Sequence, residues 1–98
     1  MYKDDVISEI SKIETDLRAM GVRSVRLFGS VARGQETAFS DVDLALDVDK
    51  DGGFSLLNLV AVKDFIASRL GKSVDVVTFP IRRVDLLNEI ERDSIRAF

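Results

Sequence analysis

Residues 41–48 alternate strictly between two kinds of side chain, in the order Asp41-Val42-Asp43-Leu44-Ala45-Leu46-Asp47-Val48. A period of two is typical of a β-strand that buries one face. The pattern predicts that the four large aliphatic side chains face the core, namely Val42, Leu44, Leu46 and Val48. The other four residues then share the opposite face, so the carboxylates of Asp41 and Asp43 point the same way.

Six further elements are predicted around this strand. Apolar residues at helical spacing predict a helix over residues 2–20, and a second helix over 54–70 that buries Leu56, Leu57, Val60, Phe65, Ile66 and Leu70. Short strands are expected at 24–28 and 74–79, a short helix at 30–33, and a more charged helix at 82–97. We therefore expect an α+β fold in one domain, residues 1–98, with a small mixed β-sheet flanked by helices.

The composition restricts the chemistry. The 98 residues include no histidine and no cysteine, which excludes a Ser-His triad, a thiolate metal site and disulfides. Any bound metal must be held by oxygen, which favours Mg²⁺, Mn²⁺ or Ca²⁺. The net charge of −3 disfavours a grip on nucleic acid through phosphate contacts. With no membrane-span pattern and a polar, acidic start, a cytoplasmic location is expected.

Three aspartates are candidates for such a site. Asp41 and Asp43 lie two apart on one strand, where a solvated acidic face is the alternative explanation. Asp75 stands in the β-branched stretch Val74-Asp75-Val76-Val77 and, taken alone, would be an exposed edge-strand acid. If the two strands are neighbours, about 4.8 Å apart, the three carboxylates come together. Three converging carboxylates without histidine have the composition of a magnesium site.

Gly29 and Ser30 form a turn between a predicted strand and a short helix. Glycine lets a backbone approach a phosphate closely, and a helix N-terminus attracts anions. Ser30 is predicted either to cap the helix or to bond a phosphate oxygen. Taken without the other residues, Gly29 and Ser30 could equally be an ordinary helix start that binds no phosphate.

Taken together, Leu27-Phe28-Gly29-Ser30-Val31-Ala32-Arg33-Gly34 followed by Ser40-Asp41-Val42-Asp43-Leu44 resembles the minimal nucleotidyltransferases. These belong to the nucleotidyltransferase superfamily related to DNA polymerase β, and many are antitoxins encoded beside a HEPN ribonuclease toxin. The resemblance covers Val25 to Val77. It implies the nucleotidyltransferase fold and transfer of AMP from ATP to a hydroxyl of a HEPN partner protein.

The resemblance also implies a role for each site residue. Gly29 and Ser30 would hold the triphosphate, and Asp41 and Asp43 would bind the magnesium ions that carry it. Asp75 would complete one metal site and help to deprotonate the acceptor. Arg33 is predicted as a further phosphate contact, with a surface salt bridge as the alternative.

Two other functions compete with this hypothesis. The acceptor of an active enzyme could be a small molecule, or the domain could neutralise a partner by masking it, without catalysis. The sequence leaves open the acceptor, the preferred nucleotide, the oligomeric state and whether activity needs the partner.

Overall fold

A computed structural model describes all residues from Met1 to Phe98. Five helices and four strands follow one another as α1 (Lys3–Lys12), α2 (Glu14–Ala19), β1 (Val22–Phe28), α3 (Gly29–Ala32), β2 (Val42–Val48), α4 (Leu56–Leu70), β3 (Val74–Thr78), α5 (Val84–Asp93) and β4 (Ile95–Arg96). The expected α+β class is confirmed. No helix is both long and apolar enough to cross a bilayer.

The strands form one mixed sheet in the order β3-β2-β1-β4. β1 runs antiparallel to both β2 and β4, whereas β2 and β3 are parallel and are joined through α4. In this register Asp43 is opposite Phe28 of β1 on one side and Asp75 of β3 on the other. The condition set for a three-acid cluster, that the two acidic strands are neighbours, is therefore met.

One face of the sheet holds the main core. The aliphatic residues of β2 are at most 5% exposed, as the alternation predicts, and they meet α1, α2 and α4. The helices contribute Val6, Ile10, Ile13, Leu17, Val62, Ile66 and Leu70. Burial of this many branched side chains supplies most of the driving force for folding.

The opposite face is covered only in part, by α5. A small cluster forms there from Phe28, Ala45 and Ile90, with the partly buried Val77, Phe79, Ile81 and Leu86 around it. Ala45 is small enough to let Ile90 approach the sheet, and both residues are almost fully buried. The part of this face next to the cluster carries Asp43 and Asp75.

The single helix predicted over residues 2–20 is wrong, because the chain breaks at Ile13 into α1 and α2. The amide of Ile13 donates to the carbonyl of Ile10, three residues back, at 3.1 Å, so the turn tightens and the α-helical ladder stops. The helical spacing places Val6, Ile10, Ile13, Leu17 and Met20 on one face; the first four are buried, and Met20 is half-buried.

The face that α4 buries also differs from the prediction. Ile66 and Leu70 are buried as predicted, and Phe65 is half-buried. Leu56, Leu57 and Val60 are exposed instead, and Val62 reaches the core. The helix begins after Ser55, whose hydroxyl accepts from the amide of Asn58, and this cap sets the phase of the first turn. Apolar residues on both sides of the first turn made the sequence pattern ambiguous.

The predicted terminal helix is too long, because α5 ends at Asp93 and a short strand follows. Ser94 is extended, and β4 pairs with β1 through Ile95 and Arg96. This pairing covers hydrogen-bonding groups that would otherwise stay open on the outer edge of β1. A strand of two residues is too short to show an alternating pattern that could be recognised in a sequence.

Candidate active site

The acidic residues of two parallel strands define the candidate site. Asp43 and Asp75 are direct partners in the β2–β3 register, so their backbones lie about 4.8 Å apart. Asp43 is half-buried, whereas Asp75 is exposed. Asp41 is exposed just before Val42, where β2 begins. The structure thus places all three predicted aspartates at the same ends of neighbouring strands.

The surroundings of Asp43 raise the pKa of its carboxyl above the ordinary value. Burial of this carboxyl is the largest cause, followed by the negative charges of Asp75, Asp41 and Glu89, and Arg33 opposes them. Like charges this close disfavour one another's ionised form. A cation at this position would relieve the repulsion.

The donor atoms available here fit a hard cation, because all of them are carboxylate oxygens. No group of three or more such side chains stands close enough together to form a ready-made metal site. A bound Mg²⁺ would therefore have to draw the side chains of Asp41, Asp43 and Asp75 together. The three-aspartate metal site stays a prediction.

Gly29 lies directly against the Asp43 carboxylate. It has a φ of 76°, in the left-handed region that glycine tolerates best. A Cβ added there would overlap Asp43 Oδ2 and would lie 3.0 Å from Asp43 Cγ. Glycine is therefore required here twice, once for the backbone conformation and once for the close approach of the turn to the acid.

Ser30 lies in the first turn of α3 rather than at its cap, because the helix begins at Gly29. No side chain caps this helix, so the capping role suggested for Ser30 is wrong. The residue is half-buried beside Gly29. Its predicted contact with a phosphate is untested by the structure and stays a prediction.

Arg33 forms an ion pair with α5. Its guanidinium donates to Glu89 at 2.7 Å and to the side-chain oxygen of Gln35 at 3.0 Å, and Asp93 lies 4.0 Å away. This is the salt bridge that the sequence left as the alternative to a phosphate contact. Arg33 would have to leave Glu89, at least in part, to reach a phosphate.

Glu89 was missed by the sequence analysis. It belongs to a charged helix, and nothing in the local pattern distinguishes it from Glu91 or Asp93. It approaches the site only because Ile90, the next residue, docks on Phe28 and Ala45. Its charge then acts on Asp43 and holds Arg33 at once.

The three aspartates, Asp41, Asp43 and Asp75, do not line any of the three main cavities of the protein. Asp47, the next acid on this face of β2, lines one of them together with Arg23, Lys50 and Phe79. The candidate site therefore lies outside the three main cavities.

Comparison with known proteins shows which family this chain belongs to. Residues 10–97 match the family described as the nucleotidyltransferase domain, and the chain belongs to that family. A protein of Methanocaldococcus jannaschii named as a protein adenylyltransferase, MJ0435, is 39% identical over 88 residues, which span 85% of this chain and 92% of that one. The chain is accordingly an enzyme of the nucleotidyltransferase class.

Solved structures share the fold. A minimal nucleotidyltransferase superposes with a TM-score of 0.80 at 28% identity, over 97% of this chain and 95% of its own. An antitoxin in complex with the tri-AMPylated HEPN toxin of Shewanella oneidensis superposes with a TM-score of 0.66 over 92% of this chain and 69% of its own. At 20% identity, the second likeness concerns the fold alone.

Proposed function

We propose that this chain transfers AMP from ATP to a hydroxyl group of a partner protein. The observation that carries the proposal is the lateral pairing of Asp43 with Asp75, with Gly29 fitted against Asp43. The backbone at Gly29 and Ser30 would accommodate the phosphates, since no Cβ blocks the approach at Gly29. The name of the relative from M. jannaschii supports a protein as the acceptor.

The aspartates divide the work between them. Asp41 and Asp43 would hold the nucleotide-bound Mg²⁺, and Asp75 would complete the site on the β3 side. When bound, Mg²⁺ supplies positive charge that stabilises the phosphate oxygens during displacement. Asp75, exposed at the edge of the site, would accept the proton of the acceptor hydroxyl.

The reaction balances as an in-line displacement. The acceptor oxygen forms a bond to the α-phosphorus, the bond from that phosphorus to the bridging oxygen breaks, and pyrophosphate leaves with its electron pair. Gly29 and Ser30 would keep the β- and γ-phosphates on the β1 side of Asp43. The acceptor must then arrive from the other side, where Asp75 lies.

We propose a HEPN-family toxin as the partner, which this chain would silence by modification. The position of the site supports a protein acceptor, because the aspartates border none of the three main cavities that could enclose a small molecule. The solved relative bound to an AMPylated HEPN toxin supports the identity of the partner. Magnesium as the metal and ATP as the donor belong to the same proposal.

The experiment is incubation with α-³²P-labelled ATP and Mg²⁺, with and without a purified HEPN-family protein from the same genome. We expect label on the partner, and we expect Asp43→Asn to reduce the transfer rate roughly 10²–10³-fold, because it removes charge from the reacting centre. Asp47→Asn is the matched control, since Asp47 lies on the same face of β2 but lines a cavity that none of the three aspartates borders. Equal rates for wild type and Asp43→Asn would reject the site assignment.

The competing masking function makes a different prediction. A masking domain would inhibit the partner equally well as wild type and as Asp43→Asn, without label. A small-molecule acceptor would leave the partner unlabelled but still consume ATP in a magnesium-dependent way when that acceptor is supplied.

A further inference from the structure

Phe39 is the most exposed large apolar side chain of the protein. Its relative exposure is 94%, compared with 82% for Leu57 and 70% for Tyr2. Single apolar residues at a surface need no special explanation. Phe39 differs from such scattered residues because its exposed ring lies two residues from Asp41, at the edge of the candidate site.

The loop that carries Phe39 is held by several hydrogen bonds. The hydroxyl of Ser40 accepts from the amide of Thr37 at 2.8 Å, and the amide of Ser40 donates to the carbonyl of Thr37 at 3.1 Å. The amide of Phe39 donates to the hydroxyl of Thr37 at 3.3 Å. The backbone around Phe39 is thus fixed in a compact turn, and the ring extends from that turn into solvent.

A contact with the β3 side fixes the direction in which this turn lies. The ammonium group of Lys72, two residues before β3, donates to the carbonyl of Ala38 at 3.3 Å. The amide of Val42 donates to the carbonyl of Ser73 at 3.0 Å. The turn is therefore tied to the start of β3, the strand of Asp75, on the side of Asp43 away from Gly29.

We propose that Phe39 is an anchor for the acceptor protein, inserting into an apolar concavity beside the hydroxyl that receives AMP. The proposal rests on the proposed function, in which the phosphates lie on the β1 side and the acceptor approaches Asp75. An aromatic ring on a fixed turn loses little conformational entropy when it is buried at an interface. Phe39 is thus a positioning residue, which orients the acceptor without touching the reacting atoms.

Steady-state AMP transfer tests the proposal when the concentrations of ATP and of the purified HEPN-family protein are varied separately. We expect Phe39→Ala to raise KM for the protein acceptor about tenfold, as truncation of an aromatic anchor does. KM for ATP and kcat at saturating acceptor should change less than about twofold, because Phe39 lies off the phosphate side. Phe39→Tyr, which keeps the ring, should restore KM for the acceptor.

Tyr2→Ala is the matched control, because Tyr2 is also an exposed aromatic residue but precedes α1, a helix of the main core face. It should leave both KM values unchanged. An increase of KM for ATP in Phe39→Ala would overturn the proposal and indicate that the ring stacks on the adenine base instead. Unchanged KM for both substrates would overturn it as well.

Direct binding separates this proposal from the proposed function. The dissociation constant of the complex is measured by calorimetry without ATP, so it does not depend on catalysis. If wild type transfers no AMP but binds the partner, and Phe39→Ala weakens binding about tenfold, the proposed chemistry fails while the docking role stands. If transfer proceeds and Phe39→Ala neither weakens binding nor raises KM for the partner, the docking role alone fails.

Discussion

The two faces of β2 are built on opposite physical principles. Val42, Leu44, Leu46 and Val48 enter a close-packed aliphatic core on one face. On the other face Asp43 stands beside Asp75 with a raised pKa, under partial cover from α5. The comparison shows that one strand can secure the fold with its even-numbered residues and carry the repelling charges of a site with its odd-numbered ones.

The largest effect should come from the core face. Leu44→Ala removes a fully buried side chain and leaves a cavity, so we expect the free energy of unfolding to fall by about 2–5 kcal/mol. Urea denaturation measures the loss. Asp43→Asn, the adjacent residue on the opposite face, should unfold at the wild-type urea concentration or slightly above it.

The variants Leu44→Ala and Asp43→Asn also distinguish the two faces of β2 by their effects on AMP transfer. At a temperature where Leu44→Ala remains folded, its AMP transfer per folded molecule should equal that of wild type. A core variant that lost transfer while still folded would show that the two faces of β2 are coupled rather than independent.

The next effect concerns the turn where the backbone meets the site. Gly29→Ala should lower the free energy of unfolding by about 1–3 kcal/mol, because it combines a left-handed backbone with an overlap on Asp43. Transfer should fall as well, since the added methyl group displaces the carboxylate. Thermal unfolding and the labelling assay measure the two losses.

Gly34→Ala is the matched control for this turn. Gly34 has a φ of 71°, but an added Cβ would meet no atom within 4 Å. It should therefore show the backbone strain without the loss of transfer. Equal loss of transfer in both variants would mean that strain, rather than contact with Asp43, explains the need for Gly29.

The smallest effect is expected at the ion pair between α3 and α5. The side chains of Arg33 and Glu89 are about one-third exposed, 33% and 30%, so solvent screens their attraction. A double-mutant cycle with Arg33→Gln and Glu89→Gln should give a coupling energy of about 0.2–1 kcal/mol. If Arg33 also contacts phosphate, only Arg33→Gln should slow transfer.

The parts of the structure with a clear period could be predicted from the sequence. The alternation in β2 determines which side chains are buried, and Asp75 in a β-branched stretch indicates an acid on a second strand. The register that pairs Asp43 of β2 with Asp75 of β3 could not be derived, because it depends on how α4 packs between the two strands in the chain. The resemblance to nucleotidyltransferases supplied the expectation that these strands meet.

Other features depend on tertiary contacts that leave no local pattern. The exposure of Leu56 and Leu57 follows from the phase in which α4 docks, and Glu89 reaches the site only through the docking of Ile90. β4 exists because the edge of β1 offers it hydrogen bonds. Each of these is decided by a neighbour distant in the sequence.

The parallel pairing of β2 with β3 has a consequence for the order in which the chain folds. β1 and β2 are joined by residues 29–41, whereas β2 and β3 are separated by residues 49–73, nearly twice as many. Each doubling of a loop adds about 0.6 kcal/mol of closure entropy, so the β1–β2 pair has the lower barrier to formation. We therefore expect the β1–β2 pairing, which brings Gly29 to Asp43, to form faster than the β2–β3 pairing, which brings Asp75 to the site.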